Sequence, residues 1–223
     1  MTDEDRRTPG RGRRPTPRSI TPSAPEEFGR VQVWWGDGKG KTTAAMGMGF
    51  RAAGHGYRVH MLQYMKGGAD SVADVRGEYN AIAAMLGFTY ENTGHYGWHR
   101  LNDGSADEDH QLKADAAVDR TRELLAAAAN VDLSAPLSLD GSPMAGVHML
   151  ILDEILYAVD QDLLASDVVL DLLDMAPPGL EVILTGSHSE PRYLIDRADL
   201  ITAVRKQKHP FDAGIRARQG TEY

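Results

Sequence analysis

Short apolar runs alternate with longer helix-like segments from Phe28 almost to the end of the chain. The helical pattern predicts helices at Lys41–Ala53, Val75–Leu86, Glu108–Ala129, Ser166–Met175 and Glu190–Ala198. The apolar runs predict a sheet of five or six strands, with candidates at Val31–Trp35, Arg58–Gln63, Phe88–Glu91, Val147–Leu152, Glu181–Thr185 and Leu200–Val204. Strands and helices that alternate in this way are typical of βαβ units. We therefore predict an α/β fold with three layers and a mostly parallel central sheet.

Three segments fall outside this pattern. The polar stretches His95–His110 and Asn130–Gly146 are predicted to be surface loops. Residues 1–27 hold six Arg, five acidic residues and five of the eleven prolines. Because such a segment buries too little apolar surface to offset its ordering entropy, we predict a disordered N-terminal arm at 1–27 and one domain at 28–223. Whether the arm only adds solubility or orders over a ligand or partner stays open.

The composition excludes several classes of protein. The chain has 223 residues, of which 42% are hydrophobic and 25% charged, as expected of one globular domain. Its net charge of −8 argues against a general nucleic-acid binder. The absence of cysteine excludes disulfides, thiolate metal sites and a thiol nucleophile. With no apolar run near the ~20 residues of a membrane span and no signal-peptide core, we predict a cytoplasmic protein without membrane or nucleic-acid partners.

A glycine-rich segment joins the first predicted strand to the first predicted helix. It reads Gly36-Asp37-Gly38-Lys39-Gly40-Lys41-Thr42-Thr43. In this context the glycines let backbone N–H groups converge on an anion, and the helix N-terminus adds partial positive charge. Lys41 would reach phosphate oxygens, and the Thr42 hydroxyl would bind Mg²⁺. We predict that these eight residues bind a nucleotide and that the fold is P-loop NTPase-like.

The loop is shorter than the usual phosphate-binding loop. The common spacing is G-x-x-x-x-G-K-[ST]. Here Trp35 occupies the position of the first glycine, and Gly36 leaves only three residues before Gly40. The shortened loop indicates that the phosphates are held differently from those in ordinary ATPases.

An acidic pair ends the fourth predicted strand. The segment His148-Met149-Leu150-Ile151-Leu152-Asp153-Glu154 has the form of a Walker B motif. A carboxylate at the end of such a strand can hold Mg²⁺ directly or through water. Glu154 could instead orient a water molecule as a general base. Together with Thr42, Asp153 and Glu154 are therefore the candidate metal ligands.

These two motifs predict a nucleoside triphosphate and Mg²⁺ but leave the acceptor open. Hydrolysis, phosphoryl transfer and attack elsewhere on the nucleotide all remain. A P-loop NTPase or small-molecule kinase is one alternative, and a nucleotide-binding regulator without turnover is another. A motor is less favoured because the chain is short and carries no second ATPase module.

Several motifs together resemble the P-loop type of ATP:corrinoid adenosyltransferases, also called cob(I)alamin adenosyltransferases. Besides the shortened loop, the matching segments are Arg51-Ala52-Ala53-Gly54-His55-Gly56, Gln63-Tyr64-Met65-Lys66-Gly67, Gly87-Phe88-Thr89-Tyr90-Glu91, Leu152-Asp153-Glu154, Thr185-Gly186 and the C-terminal run Lys208–Tyr223. The resemblance covers roughly residues 30–94 and 147–223. It implies that the cobalt(I) of a reduced corrinoid attacks the 5′-carbon of ATP and expels triphosphate, in adenosylcobalamin synthesis or salvage.

The resemblance also implies roles for individual residues and partners. Lys41 would stabilise the triphosphate leaving group as a catalytic residue. Phe88 and Tyr90 would lie under the corrin ring and displace the lower axial ligand of cobalt(II). Mg²⁺ would be the cofactor, and ATP and the corrinoid the substrates. An electron donor such as a reduced flavoprotein and a homodimeric assembly would complete the system.

Four positions carry an alternative or a departure from the family pattern. Without the resemblance, Phe88 and Tyr90 would be interpreted as the alternating apolar residues of a half-buried strand. In addition, Tyr90 stands where the family commonly has a tryptophan. Arg51 matches an arginine near the substrate, but a solvent-facing helical arginine is an equal alternative. Ser187 stands where the family usually carries arginine, so one polar contact is lost or comes from elsewhere.

Overall fold

A single six-stranded parallel sheet forms the centre of the computed structural model, which describes residues 18–67, 77–94 and 107–221. The strands are β1 Val31–Trp35, β2 Val59–Gly67, β3 Phe88–Gly94, β4 Met149–Asp153, β5 Glu181–Thr185 and β6 Leu200–Ala203. Their order across the sheet is β3-β2-β4-β5-β1-β6, and every pairing is parallel. The predicted parallel sheet is therefore confirmed, with six strands.

Helices cover both faces of the sheet. They are α1 Lys41–Gly54, α2 Gly77–Ala83, α3 Asp107–Ala129, α4 Ile155–Asp160 and α5 Ser166–Asp174. Successive side chains of a strand point to opposite faces. Met149 and Ile151 of β4 accordingly pack in one cluster with α1, whereas Leu150 and Leu152 pack in the other with α3 and α5. The two clusters make the predicted three-layer α/β fold.

Two helical segments differ from the prediction. The predicted helix Glu190–Ala198 is wrong, because the structure has only a single 3₁₀ turn at Arg192–Leu194. Within this turn only Leu194 is buried, so the segment lacks the apolar stripe that stabilises a longer helix by packing. In the other case, α4 was not predicted and begins directly after Glu154.

Strands β2 and β3 are longer than predicted. The expected ends were Gln63 and Glu91, but the strands continue to Gly67 and Gly94, which pair after a register shift. The loop at Asn130–Gly146 is confirmed, with one short 3₁₀ turn inside it. The longer β2 matters for function because it places an additional lysine at the carboxyl edge of the sheet.

Parts of the sequence prediction lie outside the described residues. These are residues 1–17 of the proposed arm and most of the predicted loop His95–His110. Where the arm is described, the Ser23 N–H donates to the Gly56 carbonyl over 2.9 Å. The disorder of the arm therefore stays a prediction. Within the described ranges, no helix combines the length and apolar character that a membrane span requires.

Candidate functional site

The glycine-rich loop leaves β1 and leads into α1 through two residues with positive φ. Gly36 has φ +120°, and a Cβ there would lie 2.2 Å from the Val204 carbonyl oxygen. Gly40 is the N-cap of α1 with φ +118°, a conformation that side-chain-bearing residues rarely adopt. Glycine is thus required at Gly36 by close approach and at Gly40 by conformation.

Backbone hydrogen bonds tie the loop to the ends of neighbouring strands. The Gly36 N–H donates to the Ser187 carbonyl over 3.0 Å, and the Gly38 N–H donates to the Val204 carbonyl over 2.8 Å. These two donors are therefore used inside the protein. The first-turn N–H groups of α1 have no acceptor within the helix and remain the natural donors to an anion.

Lys41 lies at the centre of the loop. Its Nζ donates to the carbonyl oxygens of Gly36 over 2.6 Å and Gly38 over 3.1 Å. Burial lowers the pKa of Lys41, while the negative charge of Glu154 opposes that shift. The loop thus holds an ammonium group at the position where phosphate oxygens would meet it.

Asp153 ends β4 and is fully buried. Its Oδ1 accepts a hydrogen bond from the Thr185 hydroxyl over 2.6 Å, and its Oδ2 accepts one from Gln63 Nε2 over 2.9 Å. Burial raises the pKa of Asp153, but the charge of Lys66 and these hydrogen bonds outweigh burial, so the net shift is downward. The carboxylate is therefore kept ionised and fixed in orientation.

Lys66 is the site residue that sequence reasoning missed. Its Nζ lies 2.7 Å from Asp153 Oδ2 and 3.0 Å from Thr42 Oγ1. One cationic group therefore contacts both oxygens, and hydroxyl and carboxylate oxygens are of the kind that Mg²⁺ prefers as ligands. The available signal was a lysine within the family segment Gln63–Gly67, close to the end of a parallel strand.

Glu154 follows Asp153 in a strained conformation. Its φ is +63°, in the left-handed region that non-glycine residues rarely adopt. Burial and the adjacent Asp153 charge raise its pKa, although 20% of its side chain is exposed. Strain of this kind is often found where a side chain must be aimed at a ligand.

An open cavity of about 620 Å³ adjoins these groups, although the buried Asp153 does not itself line it. Its walls include loop residues 38–43, Lys66, Glu78, Glu154 and Thr221. Of the predicted nucleotide-binding residues, Gly36, Asp37 and Arg51 do not line this cavity, and Arg51 is exposed. Arg51 belongs to α1. It follows Lys41 by ten residues, or about 15 Å along the helix.

The exposed loop side chains contact the C-terminal segment. Asp37 Oδ1 accepts the Lys206 N–H over 3.1 Å, which lowers the pKa of Asp37. Lys39 Nζ donates to the Thr221 carbonyl over 2.9 Å. Asp37 and Lys39 therefore help to bring the chain end back to the cavity.

The two aromatic residues predicted to face a corrin ring lie on β3, on the same side as α1. Phe88 is 2% exposed, and its ring packs edge-on against Phe50 with centroids 5.3 Å apart. Tyr90 is half-buried and stacks on Tyr79 at 4.6 Å. The Tyr79 hydroxyl donates to Gln63 Oε1 over 2.7 Å. Tyr90 is thus linked through Tyr79 and Gln63 to Asp153, whereas Phe88 is a core residue.

Ser187, where the family usually carries arginine, is buried and has a positive φ of 59°. Its hydroxyl donates to Asp160 Oδ2 over 3.0 Å. The Ser187 side chain is therefore engaged with α4, while its carbonyl oxygen holds the loop at Gly36.

A parallel sheet, a glycine-rich loop that opens α1 and an acidic residue at a nearby strand end define the P-loop class of nucleotide-binding proteins. Within that class, residues 27–223 match the family described as ATP:corrinoid adenosyltransferase BtuR/CobO/CobP. The chain belongs to this family.

Named relatives agree with the family assignment. Corrinoid adenosyltransferase CobA of Salmonella typhimurium strain LT2 is 32% identical over 205 residues, which cover 90% of this chain and 88% of the relative. A corrinoid adenosyltransferase of Escherichia coli K12 is 33% identical with the same coverage. One from Pseudomonas aeruginosa is 32% identical over 200 residues, or 90% of this chain and 86% of the relative.

Proposed function

We propose that this protein transfers the 5′-deoxyadenosyl group of ATP to the cobalt(I) of a reduced corrinoid and releases triphosphate. The corrinoid would be cobalamin or a cobyrinate- or cobinamide-type precursor, in adenosylcobalamin synthesis or salvage. The observation that carries the proposal is the cavity lined by the loop, Lys41, Lys66 and Glu154, in which Lys66 also contacts the buried Asp153. Relatives named corrinoid adenosyltransferases over most of their length support the choice of acceptor.

The chemistry requires stabilisation of the leaving group. The cobalt electron pair forms a bond to the 5′-carbon, the 5′-carbon–oxygen bond breaks, and the triphosphate leaves with that oxygen. The nucleophile must lie about 3–3.5 Å from the carbon in line with the breaking bond. Lys41 and the first-turn amides of α1 would bind the triphosphate and offset the charge that grows on it.

The residues at the cavity also suit a divalent cation. Thr42 and Asp153 would hold Mg²⁺, with Glu154 beside them, because their oxygen atoms are hard ligands within reach of one cation. Bound Mg²⁺ would add positive charge to the triphosphate. Gln63 and Thr185 would keep the Asp153 carboxylate oriented. Because Arg51 does not line the cavity, it would not contact ATP directly.

Strand β3 would face the corrinoid. Tyr90 would contact the lower side of the corrin ring, and Phe88 would join it only if the corrinoid draws β3 away from Phe50. Displacing the lower ligand leaves a four-coordinate cobalt(II) that is easier to reduce. A reduced flavoprotein as electron donor, a homodimer and a cytoplasmic location belong to the same proposal.

The test is anaerobic incubation with ATP, Mg²⁺ and chemically reduced cobalamin. We expect the absorbance change of cobalt–carbon bond formation together with release of triphosphate. Lys41→Ala should lower the rate by about 10²–10³-fold, the usual effect of removing a group that stabilises developing charge. Lys113→Ala is the matched control, because Lys113 is an exposed lysine of α3 that does not line the cavity, and it should lose less than about threefold. Release of ADP and phosphate without a cobalt–carbon bond would contradict the proposal.

A further inference from the structure

Among the residues that the structure describes, three side-chain oxygen atoms lie close to the ammonium group of Lys66. Its Nζ lies 2.7 Å from Asp153 Oδ2, 3.0 Å from Thr42 Oγ1 and 3.7 Å from Glu154 Oε1. These are the same side chains that would hold Mg²⁺. A lysine therefore contacts the atoms that a divalent cation at this site would use.

The position of Lys66 follows from the extended strand β2. Gln63 of β2 is in register with Asp153 of β4, and Lys66 follows three residues later in the same strand. The Lys66 side chain is 18% exposed and lines the cavity beside Lys41. It thus reaches both the acidic pair and the space in which a nucleotide would bind.

For electrostatic reasons, Lys66 and a divalent cation cannot contact Asp153 at the same time. The buried Asp153 carboxylate needs a nearby positive charge, because a buried unpaired charge is strongly destabilising. Either the lysine or a divalent cation can meet that need. Both cannot occupy the same few ångströms, because their charges repel.

We propose that Lys66 is a tethered counter-ion of the metal site, which a divalent cation displaces from Asp153 and Thr42 and which then pairs with the triphosphate of the bound nucleotide. The metal and nucleotide rest on the proposed function above. The displaced side chain stays in the cavity that it already lines, where triphosphate oxygens would offer it new partners.

If Lys66 has this role, removing its charge should change two affinities in opposite directions. Removing the ammonium group removes a competitor for the metal, so binding of a divalent cation alone should tighten. The same change removes a partner of the triphosphate, so triphosphate binding to the metal-loaded protein should weaken. A residue that only maintains the fold would weaken both.

The experiment uses the full chain with Lys66→Met and Lys66→Gln. Binding of MnCl₂ without nucleotide is measured from the electron paramagnetic resonance signal of free Mn²⁺. We expect the affinity to rise about tenfold or more in both variants, as loss of one positive charge at contact distance predicts. Binding of inorganic triphosphate at saturating MnCl₂ is measured by calorimetry and should weaken about tenfold.

Lys113→Met is the matched control, because Lys113 is an exposed lysine of α3 and the substitution changes the net charge equally. It should alter neither affinity. Unchanged or weaker Mn²⁺ binding in folded Lys66→Gln protein would overturn the proposal. Thermal unfolding of Lys66→Met adds an independent measurement, since Mn²⁺ should stabilise this variant more than the wild type. These readouts need no corrinoid, so a wild type that fails to adenosylate cobalamin would refute the proposed function and leave this inference testable.

Discussion

The glycine-rich loop and strand β3 were assigned functions by the same family resemblance, yet their side chains lie in different environments. Lys41 and Thr42 of the loop are partly exposed in the wall of one cavity, which Glu154 also lines. Of the two aromatic residues on β3, Phe88 is buried against Phe50 and Tyr90 is partly exposed. The loop site is arranged for a ligand as it stands, whereas β3 serves the hydrophobic core first.

The difference follows from how each region is built. A phosphate loop works through backbone conformation and a helix terminus, both of which a local sequence specifies. An aromatic side chain on a strand can pack in the core or face a ligand, and its neighbours decide which. Gly49 leaves the space that the Phe88 ring occupies, since a Cβ at Gly49 would lie 2.6 Å from that ring.

The largest expected effect is on stability at Phe88. Phe88→Ala should lower the free energy of unfolding by about 3–5 kcal/mol, because it leaves a cavity in the core. Tyr90→Ala should cost about 1–2 kcal/mol, since it mainly loses the stack on Tyr79. Urea unfolding monitored by circular dichroism measures both values.

Activity sharpens the same comparison. If Tyr90 contacts the corrin ring, Tyr90→Ala should retain activity with pre-reduced cobalt(I) and lose it when cobalt(II) must be reduced on the enzyme. Equal losses in the two assays would argue against a corrin contact. A stability loss at Phe88 no larger than at Tyr90 would show that Phe88 is not a core residue.

Acid should lower the stability of the fold through His60, which contacts Thr89 on the other face of β3 from Phe88 and Tyr90. Burial lowers the pKa of His60 to about 4, and its Nδ1 lies 2.8 Å from Thr89 Oγ1 of β3. The unfolded chain takes up this proton near its ordinary pKa of 6.5, so the contribution of His60 is lost as the pH falls from 6.5 towards 4. Between pH 7.5 and 5 the loss should be about 2 kcal/mol.

Urea unfolding at the two pH values tests this prediction against His60→Gln. The variant has no imidazole to protonate, so its stability should depend less on pH by about the same amount. An identical pH dependence in the two proteins would place the acid sensitivity elsewhere, for example at the buried His148.

The smallest expected effect is at Tyr79, which links Tyr90 of β3 to the acidic site through Gln63. Tyr79→Phe removes the hydroxyl that donates to Gln63 but keeps the ring that stacks on Tyr90. We expect a stability loss of about 1 kcal/mol. Because Gln63 orients Asp153, we also expect Mn²⁺ binding to weaken about threefold. This is less than the ~10–100-fold typical of groups that orient a metal ligand directly, because Tyr79 acts only through Gln63.

Tyr64→Phe is the matched control for this link. Its hydroxyl is also buried and lies 2.5 Å from Thr121 Oγ1, on the face covered by α3. Stability should fall by a similar amount, about 1 kcal/mol, without a change in Mn²⁺ affinity. Weaker Mn²⁺ binding in both variants would mean that the effect is a general loosening of the sheet.

Much of the fold could be predicted because the signals were local. The apolar run at Glu181–Thr185 and the segment at Val31–Trp35 match β5 and β1 residue for residue. Boundaries failed where tertiary contacts decide, as at Gly67 and Gly94, which pair only after a register shift. The helix predicted at Glu190–Ala198 does not form, because the segment lacks an apolar face that could pack against the rest of the protein.

The candidate site shows the same division. Lys41, Thr42 and Asp153 were identified by motif. The structure places Lys41 and Thr42 in the cavity wall and links the buried Asp153 to Thr42 through Lys66. The family segment Gln63–Gly67 contained Lys66 but did not reveal its partner, because the contact with Asp153 spans 87 residues and needs both strands in register. The hydrogen bonds from the Gly36 and Gly38 N–H groups to the backbone of Ser187 and Val204 could not be predicted from the sequence either.

The sequence by itself determined the class of fold, the phosphate loop, the acidic strand end and the family, since each is encoded by neighbouring residues or short spacings. Only the tertiary structure decided which lysine neutralises Asp153, that Phe88 belongs to the core, and that Thr221 returns to the loop at Lys39. These contacts join residues far apart in the chain. Burial and charge pairing select them only once the sheet has set the distances.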